Sequence, residues 1–153
     1  LATTSFALDA WLSAEPVPLP AGSLIMVTGG FKGRTRRLTD TDLYSAAQRT
    51  LVPQRIVTEY GMTELSSQLW GTPATSYRPP PWLRAVAVDP WSGQAVGTGV
   101  PGQLRFYDLC NLDSSVGIET MDEGVVLDDG SVRLHGRLRG APPRGCALTV
   151  RGS

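Results

Sequence analysis

Apolar residues follow two different rhythms along this chain, and the change falls near residue 81. In the first half, Leu24-Ile25-Met26-Val27-Thr28 is a continuous apolar run of strand length stopped by Gly29-Gly30. It lacks the alternation of a half-exposed strand, which predicts burial on both faces, as in a parallel sheet. Arg55-Ile56-Val57-Thr58 reads as a second short buried strand, β-branched and apolar. Between them Leu43, Ala46, Ala47 and Leu51 repeat at helical spacing, and Thr39 followed by Asp42 resembles a capping arrangement. Strand, helix and strand within that length predict a βαβ unit with a right-handed crossover. Its two strand exits, Thr28-Gly29-Gly30 and Tyr60-Gly61, are then expected at one common edge, where parallel sheets bind ligands. Upstream, Phe6 to Leu12 is compatible with a helix capped by Thr4 or Ser5, ended by Glu15-Pro16 to Pro20-Ala21-Gly22.

After the Tyr60 exit, Leu65 to Trp70 is neither clean helix nor clean strand, and Gly71 to Pro81 reads as a long loop rich in proline, threonine and serine. Then the rhythm becomes that of short strands: Leu83 to Val88, Gln103 to Tyr107, Gly117 to Thr120, Gly124 to Leu127 and Val132 to His135. Asp128-Asp129-Gly130 between the last two is a hairpin signal. The expected fold class is α/β, with a βαβ part over residues 1–81 and an antiparallel β subdomain over 82–153.

Composition narrows the function classes. Seventeen glycines and twelve prolines favour many short elements over a helical bundle. The 14 basic and 14 acidic residues balance, and Lys32 is the one lysine, so no strong pull toward nucleic acid or a membrane surface is expected. Cys110, Cys146 and His135 do not follow a zinc-ligand spacing, and two thiols suit a reducing compartment more than a disulfide framework. No apolar run approaches membrane-spanning length and the start lacks a basic leader region, which together point to a cytoplasmic protein. The chain opens on Leu1 and stops at Arg151-Gly152-Ser153, as a piece of a longer protein would.

The chemistry concentrates in Thr58-Glu59-Tyr60-Gly61-Met62-Thr63-Glu64, where a strand gives way to a loop. Tyr60 can cover a flat ring, Gly61 admits a close backbone approach, Thr63 can donate to an oxygen and Glu64 can hold a hard cation. That set suits a nucleotide phosphate with magnesium, although five residues on their own are as simply an ordinary strand end. Thr28-Gly29-Gly30-Phe31-Lys32-Gly33-Arg34 lacks the lysine-serine ending of a phosphate loop and reads better as a tight turn beside a ligand. Asp122 lies between two expected strands; it can accept from two sugar hydroxyls or simply form a turn. Arg137, just after the last expected strand, can meet a ribose or phosphate. Cys146, beside Arg144 and Gly145, is either a packed thiol or an accessible thiolate. A serine-histidine-aspartate machine has no supporting elbow motif.

The order of these fragments resembles the succession in adenylate-forming acyl ligases: Tyr60-Gly61-Met62-Thr63-Glu64, Thr120-Met121-Asp122, Asp128-Asp129-Gly130, Gly136-Arg137 and Arg144-Gly145, with Thr28-Gly29-Gly30 similar to an adenine-side glycine turn. Within that superfamily, the Thr28 to Arg34 and Glu59 to Glu64 stretches, Tyr107-Asp108-Leu109 and Arg144-Gly145-Cys146 resemble acyl-protein synthetases of the bioluminescence fatty acid reductase type. The resemblance implies the C-terminal portion of an enzyme that activates a fatty or other carboxylic acid with ATP and magnesium. It implies acyl transfer to a protein cysteine and a reductase partner that takes over the acyl group. By position it places Gly29, Gly30, Tyr60, Gly61, Met62 and Thr63 at the nucleotide, Glu64 on magnesium, Asp122 on the ribose, Arg137 near the junction and Cys146 as acyl acceptor.

The sequence also departs from that pattern. No lysine follows Lys32 to match the mobile C-terminal domain of most acyl ligases, which is consistent with the acyl-protein synthetase branch and counts against a full coenzyme A ligase. Arg139 replaces the aspartate common after Gly-Arg, and the phosphate loop expected upstream is missing from this chain. These departures leave two alternatives in place: a truncated phenylacetate-type coenzyme A ligase and a non-catalytic nucleotide-binding module.

Overall fold

The computed structural model describes residues 1–29, 40–73 and 76–140. They fall into two compact units, one from Leu1 to Thr58 and one that begins at Glu59. The change of rhythm at residue 81 therefore lies inside the second unit.

Strands β1 (Ala2–Thr4), β2 (Leu24–Thr28) and β3 (Arg55–Tyr60) lie side by side in that order, with helices α1 (Ser5–Leu12) and α2 (Asp40–Leu51) between them in sequence; all belong to the first unit except Glu59 and Tyr60, which end β3. β1 and β2 are parallel, Ala2 opposite Met26 and Thr4 opposite Thr28. The expected strand–helix–strand succession is present, and α1 starts where expected: the Ala7 N–H donates to the Thr4 hydroxyl at 3.2 Å. In α2, Leu43, Ala47 and Leu51 fall on one buried stripe, while Asp40 and Asp42 in the first turn and Arg49 in the last complement the helix dipole. With Leu8, Ile25, Val27 and Ile56 that stripe forms the unit's apolar core. β1 was invisible in the sequence because Ala-Thr-Thr carries no apolar rhythm.

The second unit contains β4 (Leu69–Gly71) and an antiparallel sheet of β5 (Leu83–Val88), β6 (Gly102–Asp108), β7 (Gly117–Val126) and β8 (Val132–Arg137), in that order. Alternation sets its core face: Leu83, Ala85 and Ala87 from β5, Leu104 and Phe106 from β6, and Val132 from β8, joined by Leu65 and Leu69. The loop from Gly71 to Pro81 is more ordered than its composition suggests, since Tyr77 bridges to Val132 and Arg78 to Trp70. The Asp128-Asp129-Gly130 hairpin is present, with the Gly130 N–H donating to the Leu127 carbonyl at 2.9 Å and Gly130 at φ +76°.

Two expectations are corrected here. The segments Gly117 to Thr120 and Gly124 to Leu127 are not separate strands; β7 runs unbroken from Gly117 to Val126, and Asp122 lies within it rather than in a turn. Arg137 likewise belongs to β8 and stands directly opposite Asp122. The segment Met121 to Glu123 between the two expected strands imitates a turn, yet Asp122 is answered across the sheet by Arg137, as Glu119 is by Arg105.

Candidate functional site

The candidate site begins with an irregularity in β7. Gln103 faces Glu123 and Arg105 faces Glu119, so three residues of β7, Thr120 to Asp122, oppose the single Leu104 of β6. Such bulges bend a strand and re-aim its side chains, and they are frequent beside active sites. Side chains take over the backbone groups that the bulge releases. Gln103 Nε2 donates to the Thr120 carbonyl at 2.6 Å, the Thr120 hydroxyl donates to the Leu104 carbonyl at 2.8 Å, and the Asp122 N–H donates to Thr120 Oγ1 at 3.1 Å. On the other side Gly124 permits a close approach, for a Cβ there would come 2.5 Å from the Arg133 carbonyl oxygen.

Asp122 is thereby presented to two partners. The Tyr60 hydroxyl donates to Oδ2 at 2.7 Å, and Arg137 Nη1 donates to Oδ1 at 2.9 Å. Tyr60 comes from the end of β3, 62 residues away in sequence, yet it belongs to the same compact unit as its two partners. Its ring is half-buried against the second core, tilted against Tyr77 at 5.9 Å and Phe106 at 5.8 Å between centroids. Burial first, then the Asp122 charge and hydrogen bond, push the Tyr60 phenol above its ordinary range, so it is a fixed donor at any physiological pH. Each carboxylate oxygen has two lone-pair directions, so a carboxylate with one protein donor on each oxygen keeps acceptor capacity for a bound molecule.

The structure thus brings Tyr60, Asp122 and Arg137 together, three residues that the sequence named from separate fragments. The role of the Tyr60 hydroxyl was missed; only its ring had been considered. Gly61 is closely packed, but by its own neighbours: a Cβ would meet Glu59 Oε1 at 2.9 Å and Gln68 Cγ at 3.1 Å. Met62 leans on the second core. Thr63 and Glu64 are exposed, and the Thr63 hydroxyl donates to Glu64 Oε2 at 3.2 Å. Gly29, in the first unit, takes φ +71° and accepts a 2.7 Å hydrogen bond from the Ser5 hydroxyl, which explains a glycine turn there. Gly30, Lys32 and Cys146 lie outside the described residues.

Among the described residues, no group of three or more histidine, cysteine, aspartate or glutamate side chains could hold a metal ion by itself. One exposed carboxylate with a neighbouring hydroxyl still fits magnesium, which is commonly held by one or two carboxylates while substrate phosphates and water fill its other positions. No helix among the described residues is long and apolar enough to cross a membrane.

Two side chains support the segment that carries Thr63 and Glu64: Asp108, to which sequence reading assigned no role beyond its place in Tyr107-Asp108-Leu109, and Asn111, which it passed over. Asp108 is fully buried and accepts from the Ser67 N–H at 2.8 Å and the Ser67 hydroxyl at 3.0 Å. Asn111, also buried, contacts the backbone of Glu64 and Ser66. The signal for Asp108 was its place two residues after Phe106 and four after Leu104, on the core face of β6.

No protein-family model and no curated protein matches the sequence. Solved structures do. Over 90% of its length the chain superposes on 34% of a long-chain-fatty-acid-CoA ligase from Archaeoglobus fulgidus, with a TM-score of 0.63 at 14% identity. Ninety per cent also covers 30% of ATP-bound MatB from Rhodopseudomonas palustris, with a TM-score of 0.61 at 15% identity. A luciferase-like enzyme from the nonluminescent Zophobas morio mealworm gives a TM-score of 0.57 at 17% identity, over 86% of this chain and 41% of that one. The chain spans about a third of the length of the first two, and it shares the α/β fold of the part of them that it covers.

Proposed function

We propose that this chain is the nucleotide-holding part of an ATP-dependent ligase that activates a carboxylic acid as its acyl-adenylate. The observation that carries the reading is Asp122, clamped between the Tyr60 hydroxyl and Arg137 on a bulged strand, with acceptor capacity left over. Vicinal ribose hydroxyls match a carboxylate held in that way. The fold and the ordered motifs of the sequence agree with it.

Within this reading the Tyr60 ring and the Gly61-Met62 backbone flank the adenine, and the Thr63 hydroxyl turns from Glu64 to donate to the phosphate. Glu64 would hold the magnesium that arrives with ATP, which would supply positive charge against the phosphates. Gly29 and Gly30 belong to the adenine-side turn, and Arg137 both steadies Asp122 and lends positive charge beside the nucleotide. The carboxylate oxygen of the acid attacks the α-phosphorus, the bond to the bridging oxygen breaks and pyrophosphate leaves. The carboxylate thereby gains a good leaving group, and donors fixed where charge develops lower the barrier.

For the second step we favour transfer to a protein thiol. The Cys146 thiolate attacks the acyl carbonyl, AMP leaves with the bonding electron pair, and a thioester remains on the enzyme. A cytoplasmic location, a fatty acid substrate and a reductase that accepts the acyl group belong to the same proposal, with neither nucleic acid nor membrane as partner. Transfer to free coenzyme A is the second reading, favoured by the CoA ligase among the superposed structures.

Pyrophosphate exchange into ATP by the full-length protein, in the presence of a fatty acid, tests the first step. Exchange that falls at least about tenfold in Asp122→Asn, which loses the charge and half the acceptor capacity, is expected. No exchange by the native protein, or exchange indifferent to that substitution, would overturn the reading. Intact-mass analysis then separates the second step: an acyl adduct on Cys146 supports the protein-thiol branch, and thioester found only on added coenzyme A supports the other.

A further inference from the structure

Thr63 and Glu64 are exposed on the stretch between β3 and β4. Fixing such a backbone costs about 1–2 kcal/mol per residue in conformational entropy, so a loop with a single working geometry needs something to hold it. Two buried side chains at the exit of β6 do so.

Asn111 is 2% exposed and uses its whole carboxamide. Nδ2 donates to the Glu64 carbonyl and to the Ser115 carbonyl, each at 2.9 Å, and Oδ1 accepts from the Ser66 N–H at 2.9 Å. One amide thus grips the main chain on both sides of Leu65. Leu65 is itself buried in the core, and its N–H donates to the Met62 carbonyl at 3.2 Å. The neighbouring Asp108 carboxylate holds Ser67 through its N–H and hydroxyl and also accepts from the Cys110 N–H at 3.0 Å, so it ties the Asn111 turn to the same loop. Trp82 Nε1 closes the set by donating to the Ser67 hydroxyl at 2.9 Å. Two amide donors facing two carbonyls and one acceptor facing an N–H can be satisfied by an amide and not by a carboxylate of the same shape. An apolar side chain would fill the volume without fixing the peptide.

We infer that Asn111, seated beside Asp108, is a positioning residue that fixes the Glu64 peptide so that the Glu64 carboxylate meets the divalent cation accompanying ATP. The inference rests on the magnesium role proposed above and adds the device that sets its geometry.

Calorimetric titration of the full-length protein with ATP, with and without magnesium, gives the factor by which the ion strengthens binding. Glu64→Gln should remove most of that factor. Asn111→Asp should lower it about tenfold, as groups that orient metal-ligating carboxylates do, while metal-free ATP affinity is kept. The double variant should be no weaker than Glu64→Gln alone, because Asn111 acts through Glu64. An unchanged factor in Asn111→Asp, or losses that multiply in the double variant, overturns the positioning role and leaves the magnesium role standing. A Glu64→Gln protein that keeps the full factor overturns both.

Should Asn111→Asp fail to fold, Ser67→Ala removes a single hydroxyl from the same support. It is expected to lower the factor about two- to threefold, again without adding to Glu64→Gln; no change there overturns the proposal. A readout free of nucleotide completes the test. Amide exchange at positions 65 to 67 should quicken in either variant while β5 and β6 keep their protection, and exchange that quickens throughout the unit equally would mark a merely structural role.

Discussion

Tyr60 combines two functions that its position in the chain does not reveal. The ring is packed against Tyr77 and Phe106, while the hydroxyl reaches Asp122 at 2.7 Å. Tyr60→Phe keeps the first and deletes the second. A hydrogen bond to a charged group contributes about 2 kcal/mol, so the variant should lose roughly that in denaturant unfolding and bind ATP more weakly. Its pH behaviour is the sharper test. Burial and the Asp122 charge raise the folded pKa of Tyr60 above the unfolded value of about 10. The stabilisation this represents is complete below about pH 10 and is lost as pH rises from there through the folded pKa. Native protein should therefore lose stability in alkali more steeply than Tyr60→Phe, with ionisation of this tyrosine coinciding with unfolding. Parallel alkaline profiles for the two proteins would contradict the assignment.

At the level of elements, β7 decides where Asp122 points, and Gly124 decides how β7 meets β8. Gly124→Ala forces a Cβ to within 2.5 Å of the Arg133 carbonyl oxygen, a backbone atom that moves only with its strand. The expected cost is about 1–3 kcal/mol of stability, with Arg137 displaced from Asp122. Urea unfolding measures the first effect and weakened ATP binding the second; a variant as stable as the native protein would show that the ladder yields freely there. The same strand shows how far the sequence could be read. The strands Leu24 to Thr28 and Leu83 to Val88 were legible from their apolar residues, although burial alternates along the first, Ile25 and Val27 in the core and Leu24 exposed, where burial on both faces was expected. The middle of β7, Met121 to Glu123, was not legible, because it looks like a turn until Arg137 stands against Asp122 and, on either side of the bulge, Gln103 takes the Thr120 carbonyl and Arg105 takes Glu119. Those partners lie 14 to 17 residues away, beyond any local pattern. The identities of Tyr60, Asp122 and Arg137 could be taken from ordered motifs, whereas their mutual geometry needed the bulge. Asn111 carried no motif at all, since its work is done against main-chain atoms that every residue possesses.

Across the molecule, each of the two units has a core of its own. Leu8, Ile25, Val27, Leu43, Ala47, Leu51 and Ile56 fill one, and Leu65, Leu69, Leu83, Leu104, Phe106 and Val132 are the larger members of the other. Tyr60, Asp122, Arg137, Asp108 and Asn111 all belong to the second unit. Two cavities of the same size should then have different functional consequences. Leu43 and Leu104 are both fully buried, and truncating either to alanine costs about 2–5 kcal/mol. Leu104 lies opposite the bulge, its carbonyl accepts from Thr120, and its side chain packs within reach of Gly124. Leu104→Ala should therefore loosen β7, expose the Asp122 amide to exchange and weaken ATP binding beyond what its stability loss accounts for. Leu43→Ala should leave protection in β7 and the Asp122–Arg137 pair intact as long as the protein remains folded. Hydrogen exchange on the two variants at matched stability decides the matter. Equal loss of protection in β7 from both would mean that the units unfold as one, and the site would then depend on the whole chain rather than on the second core.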